Sequence, residues 1–261
     1  MHAKGKPQKR SPLKLKPLRN AGESVQSELN DLIDRELIYV VIAPIFLATF
    51  AAYEWYRAAT SAPPQPWPLT VAAASATVFA VYRFLTLQSR AAALRLGRDG
   101  EKAVAQYLEA HRQPEWRIFN DIPADGFNVD HVIVAPQGVF VLETKTRSKP
   151  ASGEAKVVYD GKGVLVDGHS PDRDPIAQAR AIRDHVRDLL SETTGRRVAP
   201  RGVVVFPEWW VDQPPRSGPR PDIWVLNEKA LPAFIEHEPI VLKPEDIALL
   251  ADALRYRITR E

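Results

Sequence analysis

Two uncharged stretches dominate the hydropathy pattern of the first third of the chain. Residues 37–53 contain no charged residue, and a second uncharged stretch follows a proline-rich turn. Each stretch is short against the roughly 20 residues that a bilayer core requires, although flanking side chains can extend it. The pattern predicts a two-helix transmembrane hairpin over residues 31–90, with spans at about 37–56 and 67–86.

Basic residues flank this hairpin on both sides. Seven Lys or Arg residues lie within residues 1–20, and four arginines follow the second stretch, whereas the connecting loop holds one acid and one base. The positive-inside rule then predicts a multi-pass protein of the cell membrane with both termini in the cytoplasm. Small residues in the second span would let the helices pack closely, within one chain or in a homo-oligomer. The alternative is that both stretches are core helices of a soluble domain.

The pattern from residue 95 onward predicts an α/β domain over residues 95–261, with a core at 95–235. Strands with β-branched residues alternate with amphipathic helices, which indicates a mixed sheet flanked by helices. Gly97 and Gly100 are expected to interrupt the helix that continues from the second uncharged stretch. Strands are predicted at 116–120, 128–134, 139–145, 156–159, 163–166, 202–206 and 222–226, and helices at 98–110, 174–192, 228–236 and 244–256.

Composition narrows the possible chemistry. The chain has 261 residues, 45% of them hydrophobic, and contains no cysteine, which excludes a disulfide scaffold, an iron–sulfur cluster and a cysteine nucleophile. The net charge of +3 belongs to the N-terminal residues, which predict a basic disordered arm over residues 1–30. Residues 84–261 carry 25 basic against 26 acidic residues, so the folded part has no broad basic footprint.

The segment from Asn128 to Thr146 carries the most informative polar residues. An antiparallel hairpin with its loop at residues 135–138 places Asp130 directly opposite Glu143. Because strand side chains alternate between faces, Asp130, Glu143 and Lys145 then lie on one face at one end of the hairpin. His131 points to the opposite face and is interpreted as structural.

Two directly opposed carboxylates repel each other unless a cation lies between them. Mg²⁺ (or Mn²⁺) is the natural candidate, because it binds through one or two protein carboxylates and keeps several waters. Asp130 and Glu143 are therefore the predicted metal ligands, with Lys145 beside a bound water or a phosphate oxygen. This layout indicates metal-assisted phosphodiester hydrolysis. A simple surface ion pair between Glu143 and Lys145 is the alternative.

The same residues carry a family resemblance. Asp130, a gap of twelve residues and then Glu143-Thr144-Lys145 resemble the D-(x)n-(D/E)-x-K signature of the restriction-endonuclease-like nucleases. Four segments in order further resemble the successive motifs of the NERD (nuclease-related) domain: 97–108, 128–131, 138–145 and 175–178. The resemblance covers about residues 95–235.

The resemblance implies a restriction-endonuclease-like fold and an Mg²⁺-dependent nuclease that hydrolyses DNA (or RNA). Together with the predicted hairpin, this indicates a membrane-anchored enzyme that acts on the cytoplasmic side. It implies that Glu101 joins the acidic cluster and that Gln178 lines the active face, so both become candidate catalytic residues. Arg147 and Lys149 would form a local nucleic-acid-binding patch. The alternative is a catalytically inactive nucleic-acid-binding or membrane scaffold protein that retains the fold. The segments 155–167 and 207–221 receive no assigned role.

Overall fold

A computed structural model of the protein describes residues 19–60, 66–149, 156–213 and 221–260. The chain divides into two compact units. One unit is Glu23–Asp99, and the other combines Gly100–Glu261 with the segment that ends at Gly22. Of the predicted basic arm, residues 1–18 lie outside the described part, whereas residues from Glu23 onward begin the first helix.

Two long helices account for most of the first unit: α1 covers Glu23–Ala59 and α2 covers Pro66–Ala110. Within the described residues, no helix is long and apolar enough to span a bilayer. The predicted hairpin with spans at about 37–56 and 67–86 is therefore wrong, together with the membrane partner, the cell-membrane localisation and the cytoplasmic placement of both termini. Both uncharged stretches are short, and the second is rich in alanine, serine and threonine, which add little apolar surface.

Helix α2 continues through both of its glycines instead of being interrupted by them. A helical glycine costs about 1 kcal/mol relative to alanine, which neighbouring turns and packing can offset. Gly100 has a specific contact: a Cβ atom at this position would lie 1.7 Å from Thr146 Oγ1. Its lack of a side chain therefore lets α2 approach the chain that leaves the central hairpin.

The remaining elements follow the predicted order. The strands are β1 (Arg117–Ala124), β2 (Phe127–Ala135), β3 (Gly138–Thr144), β4 (Lys156–Tyr159), β5 (Val164–Val166), β6 (Arg201–Val205), β7 (Trp210–Asp212) and β8 (Ile223–Leu226). The helices are α3 (Pro175–Thr194), α4 (Leu231–Glu236) and α5 (Pro244–Arg260). Asp174 caps α3 by accepting a hydrogen bond from the Ile176 N–H at 2.9 Å, with Pro175 in the first turn.

A five-stranded mixed sheet with the order β1-β2-β3-β6-β8 forms the centre of the second unit. β1, β2 and β3 are antiparallel, whereas β6 and β8 run parallel to β3. One face packs on α3 and α5 through residues such as Val132, Val141, Val186 and Leu254. The other face packs on the C-terminal part of α2 and on α4. The predicted α/β class, a mixed sheet flanked by helices, is confirmed.

The two segments without an assigned role combine into one structure. β4 and β5 form the predicted hairpin, in which Asp160 accepts hydrogen bonds from the N–H groups of Lys162 and Gly163. β7, from the Trp/Pro-rich segment, pairs in parallel with β4 and completes a small three-stranded sheet. This strand is absent from the predicted elements, because a three-residue strand bordered by prolines has no period-two pattern to detect.

Candidate active site

The central hairpin has the register that the sequence predicts. Val134 pairs with Val139 and His131 pairs with Leu142 across β2 and β3. The pairing ends at His131 and Leu142, so Asp130 and Glu143 are the next residue on each strand. Both carboxylates therefore lie at the end of the hairpin.

Asp130 is held by the backbone of the facing strand. Its Oδ2 accepts a hydrogen bond from the Thr144 N–H at 2.6 Å. Burial raises the pKa of Asp130 well above its usual value, and the nearby carboxylates of Glu143 and Glu101 raise it further. The Thr144 hydrogen bond and the Lys145 ammonium oppose this rise.

Lys145 interacts directly with the second carboxylate of the pair. Its Nζ donates to Glu143 Oε1 at 2.5 Å, with the Glu143 side chain 12% exposed. The Lys145 backbone N–H donates to Val205 O at 2.8 Å, which extends the β3–β6 ladder by one residue. The lysine therefore starts from a fixed backbone, two residues beyond Glu143 on the same face.

Glu101 reaches this cluster from α2. Burial raises its pKa to about 7, and the charges of Asp121 and Glu143 add to the effect. A hydrogen bond from the Gly22 backbone lowers the pKa only in part. The three predicted acids therefore lie close enough to interact electrostatically: Glu101, Asp130 and Glu143.

Asp121 is an acidic neighbour that the sequence reasoning misses. It lies in β1 with a left-handed φ of 50° and is 1% exposed. Arg19 Nε pairs with its Oδ2 at 3.1 Å, and Asn128 Nδ2 donates to its Oδ1 at 3.1 Å. The available signal was a lone acid among apolar strand residues, but its proximity to Glu101 depends on how α2 packs against the sheet.

The remaining candidates divide into two groups. Gln178, Arg147 and Lys145 line one cavity, whose other side is the start of α3. Lys149 does not line this cavity and instead contributes to lowering the pKa of Glu208. Of the two residues predicted to bind nucleic acid, Arg147 therefore lines the same cavity as Lys145, and Lys149 does not.

His131 occupies the structural position that the strand periodicity predicts. It is fully buried, and its Nδ1 lies 2.9 Å from Asn120 Oδ1. Burial lowers its pKa to about 3, so the imidazole stays neutral at physiological pH. It contributes to packing between strands and not to the acidic cluster.

The acidic pair fits a hard divalent ion with few protein ligands. In the part of the chain that the structure describes, no group of three or more His, Cys, Asp or Glu side chains is placed to hold a metal. Mg²⁺ needs only one or two carboxylates, because waters complete its octahedral shell. Asp130 and Glu143 each use one oxygen in the contacts above, which leaves the other oxygen of each for an ion.

Comparison with known proteins places the site within a family domain. The sequence model described as nuclease-related domain (NERD) matches residues 96–207. No curated protein matches the chain. A solved structure of Pyrococcus furiosus SfsA in complex with Ca²⁺ aligns at 19% identity and a TM-score of 0.20, covering 64% of this chain and 54% of that one. The chain thus spans about half the length of that protein, and the similarity is too low to indicate a shared fold.

The matched residues include Glu101, Asp130, Glu143, Lys145 and Gln178 and end just after β6. The resemblance found in the four sequence motifs is therefore confirmed at the level of the domain. Residues 96–207 of this chain are a nuclease-related domain.

Proposed function

We propose that this protein is a restriction-endonuclease-like, divalent-metal-dependent nuclease that hydrolyses phosphodiester bonds of DNA or RNA. The observation that carries the proposal is the end of the central hairpin, where Asp130 and Glu143 follow the last strand pair and Lys145 donates a hydrogen bond to Glu143. The nuclease-related domain over residues 96–207 supports the same class of chemistry.

Asp130 and Glu143 are the residues that would hold Mg²⁺ or Mn²⁺. When bound, such an ion polarises a phosphate and lowers the pKa of water. The pKa of Asp130 is raised mainly by burial, with Glu143 as the next cause, so a cation at this pair relieves an existing electrostatic penalty. Binding of a divalent ion at this pair is therefore favoured, because its charge offsets the repulsion between the two carboxylates.

The other residues act on the substrate and on protons. The Lys145 ammonium stabilises negative charge on a phosphate oxygen, and its fixed backbone keeps it beside the carboxylates. Glu101, whose pKa is about 7, can hold or release a proton at its carboxylate near neutral pH. Gln178 offers its amide on the side of α3.

A cleavage assay tests the proposal on the full chain. Single- and double-stranded DNA and RNA are incubated with Mg²⁺, Mn²⁺ or EDTA, and products are followed on denaturing gels. We expect metal-dependent cleavage that Lys145→Ala reduces by at least about 100-fold, as expected for removal of a charge that stabilises the transition state. Lys162→Ala, an exposed lysine of the β4–β5 turn, is the matched control.

Two outcomes would reject the proposal. One is cleavage by the wild type that EDTA leaves undiminished. The other is the absence of cleavage on every substrate while nucleic acid still binds, which would favour the catalytically inactive binding protein instead.

A further inference from the structure

A cavity adjoins the acidic cluster on the side of α3. It has a volume of about 220 Å³ and lies between the chain that leaves β3 and the first turn of α3. Lys145 lines this cavity and also pairs with Glu143. The cavity and the acidic pair are therefore neighbours that share one lysine.

Positive charge dominates the polar lining of the cavity. Lys145, Arg147 and Arg173 line it, against one acid, Asp172. Within the described ranges, neither Arg147 nor Arg173 has a carboxylate in ion-pair contact. Other arginines of the domain are neutralised: Arg180 pairs with Asp222 at 2.7 Å and Arg187 with Asp184 at 2.9 Å. The two arginines without a carboxylate thus converge on a concave surface, which favours an anion.

The lining is also held in position. The Trp209 indole N–H donates to the Arg147 carbonyl oxygen at 3.3 Å, and Trp209 itself is 2% exposed. The Gln178 Oε1 atom is buried and has no hydrogen-bond partner in the described part of the chain. The start of α3, a 20-residue helix, adds the positive end of its dipole. The two arginine side chains therefore remain available to an anionic ligand, whereas the Gln178 oxygen can only accept a hydrogen bond.

We propose that this cavity binds a phosphate group of the nucleic-acid strand, one that neighbours the phosphodiester to be hydrolysed at Asp130 and Glu143. The inference rests on the proposed function and extends it to a second substrate contact. Arg147 and Arg173 are the binding residues, and the guanidinium fork suits the oxygens of a phosphate. Lys145 lines the cavity and pairs with Glu143, so the strand would be held both at the cavity and at the reacting bond.

A binding experiment in EDTA separates this contact from cleavage. Fluorescein-labelled single-stranded DNA and RNA oligonucleotides are titrated with the full chain, and anisotropy is measured over a range of salt concentrations. We expect Arg147→Ala and Arg173→Ala each to weaken binding about tenfold and to lower the salt dependence by about one released counterion. Arg197→Ala, an exposed arginine outside the cavity, serves as the matched control and should change neither quantity.

Inorganic phosphate is the second probe, because a free phosphate presents the same chemistry as a strand. On the proposal, it competes with the oligonucleotide for the wild type and has less effect on Arg147→Ala. If both cavity variants bind like Arg197→Ala, the proposal is overturned. It is also overturned if phosphate binds through Arg147 while no oligonucleotide binds, since the cavity then takes a small ligand.

Cleavage of the same oligonucleotides is measured separately, in the presence of Mg²⁺. If strands bind through Arg147 and Arg173 but are never cleaved, the phosphate-binding proposal is supported and the proposed nuclease activity is rejected. If the variant with both arginines replaced cleaves normally, only the phosphate-binding proposal is rejected.

Discussion

Replacing Gly100 by alanine tests how closely α2 must approach the active-site strand. An added Cβ would lie 1.7 Å from Thr146 Oγ1, 2.7 Å from Thr146 Cβ and 2.8 Å from Thr146 Cγ2. Rotating the threonine does not relieve the contact with its own Cβ, so the helix or the strand end has to move. Glu101 is the next residue and would move with the helix, away from Asp130 and Glu143.

The magnitude follows from two opposing effects. Alanine in place of a helical glycine gains about 1 kcal/mol of stability. Overpacking costs about 1–3 kcal/mol. Gly97 provides the matched control, because a Cβ there meets no atom within 4 Å. We therefore expect Gly97→Ala to be stabilised by up to about 1 kcal/mol and Gly100→Ala to be destabilised by up to about 2 kcal/mol.

Urea denaturation of the full chain, followed by fluorescence, measures both free energies of unfolding. Thr146→Ala removes two of the three close atoms, so adding it to Gly100→Ala should restore part of the lost stability. Cleavage activity should fall in Gly100→Ala and stay unchanged in Gly97→Ala. If Gly100→Ala proves as stable and as active as Gly97→Ala, α2 does not position Glu101 as described.

The remaining predictions concern the charges of the cluster. Glu101 has a pKa of about 7 in the native state against 4.5 ordinarily, so the native state loses stability as pH rises between these values. Glu101→Gln should therefore raise the free energy of unfolding by about 2 kcal/mol at pH 8, after allowance for solvent screening, and change it little at pH 4, as urea titrations at both pH values would show. Asp130→Asn and Glu143→Gln should leave the melting temperature in EDTA unchanged or raised, because each removes one of two opposed charges; a large drop would mean that these acids serve structural hydrogen bonds. Arg19→Ala should lower the free energy of unfolding by about 2 kcal/mol, because it removes a cation that pairs with the Asp121 carboxylate, which is 2% exposed. An unchanged urea midpoint would show that the pair contributes nothing.

The geometry of the central hairpin could be predicted because local rules determine it. A short turn at residues 135–138 and the alternation of β-branched residues set the register, and this register brings Asp130 and Glu143 to the same end of the hairpin. The helix cap at Asp174 is similarly local. These features need only the chemistry of neighbouring residues.

Features that depend on packing between distant segments could not be predicted in the same way. Asp121 interacts with Glu101 only because α2 packs against the sheet. Arg147, which follows β3, and Arg173, which precedes α3, line the same cavity. β7 joins β4 across more than 50 residues of chain. The predicted transmembrane hairpin is wrong for a different reason, because a stretch without charge is not by that fact long and apolar enough to span a bilayer.

Direct titration with Mn²⁺ tests the central claim that the Asp130–Glu143 pair binds a divalent ion. Isothermal titration calorimetry of the full chain should detect binding in the wild type and in Glu115→Gln, an exposed glutamate of the loop before β1. Asp130→Asn and Glu143→Gln should lose that binding while keeping a cooperative melting transition. Equal Mn²⁺ binding by all four proteins would contradict the claim, because the ion would then be held elsewhere.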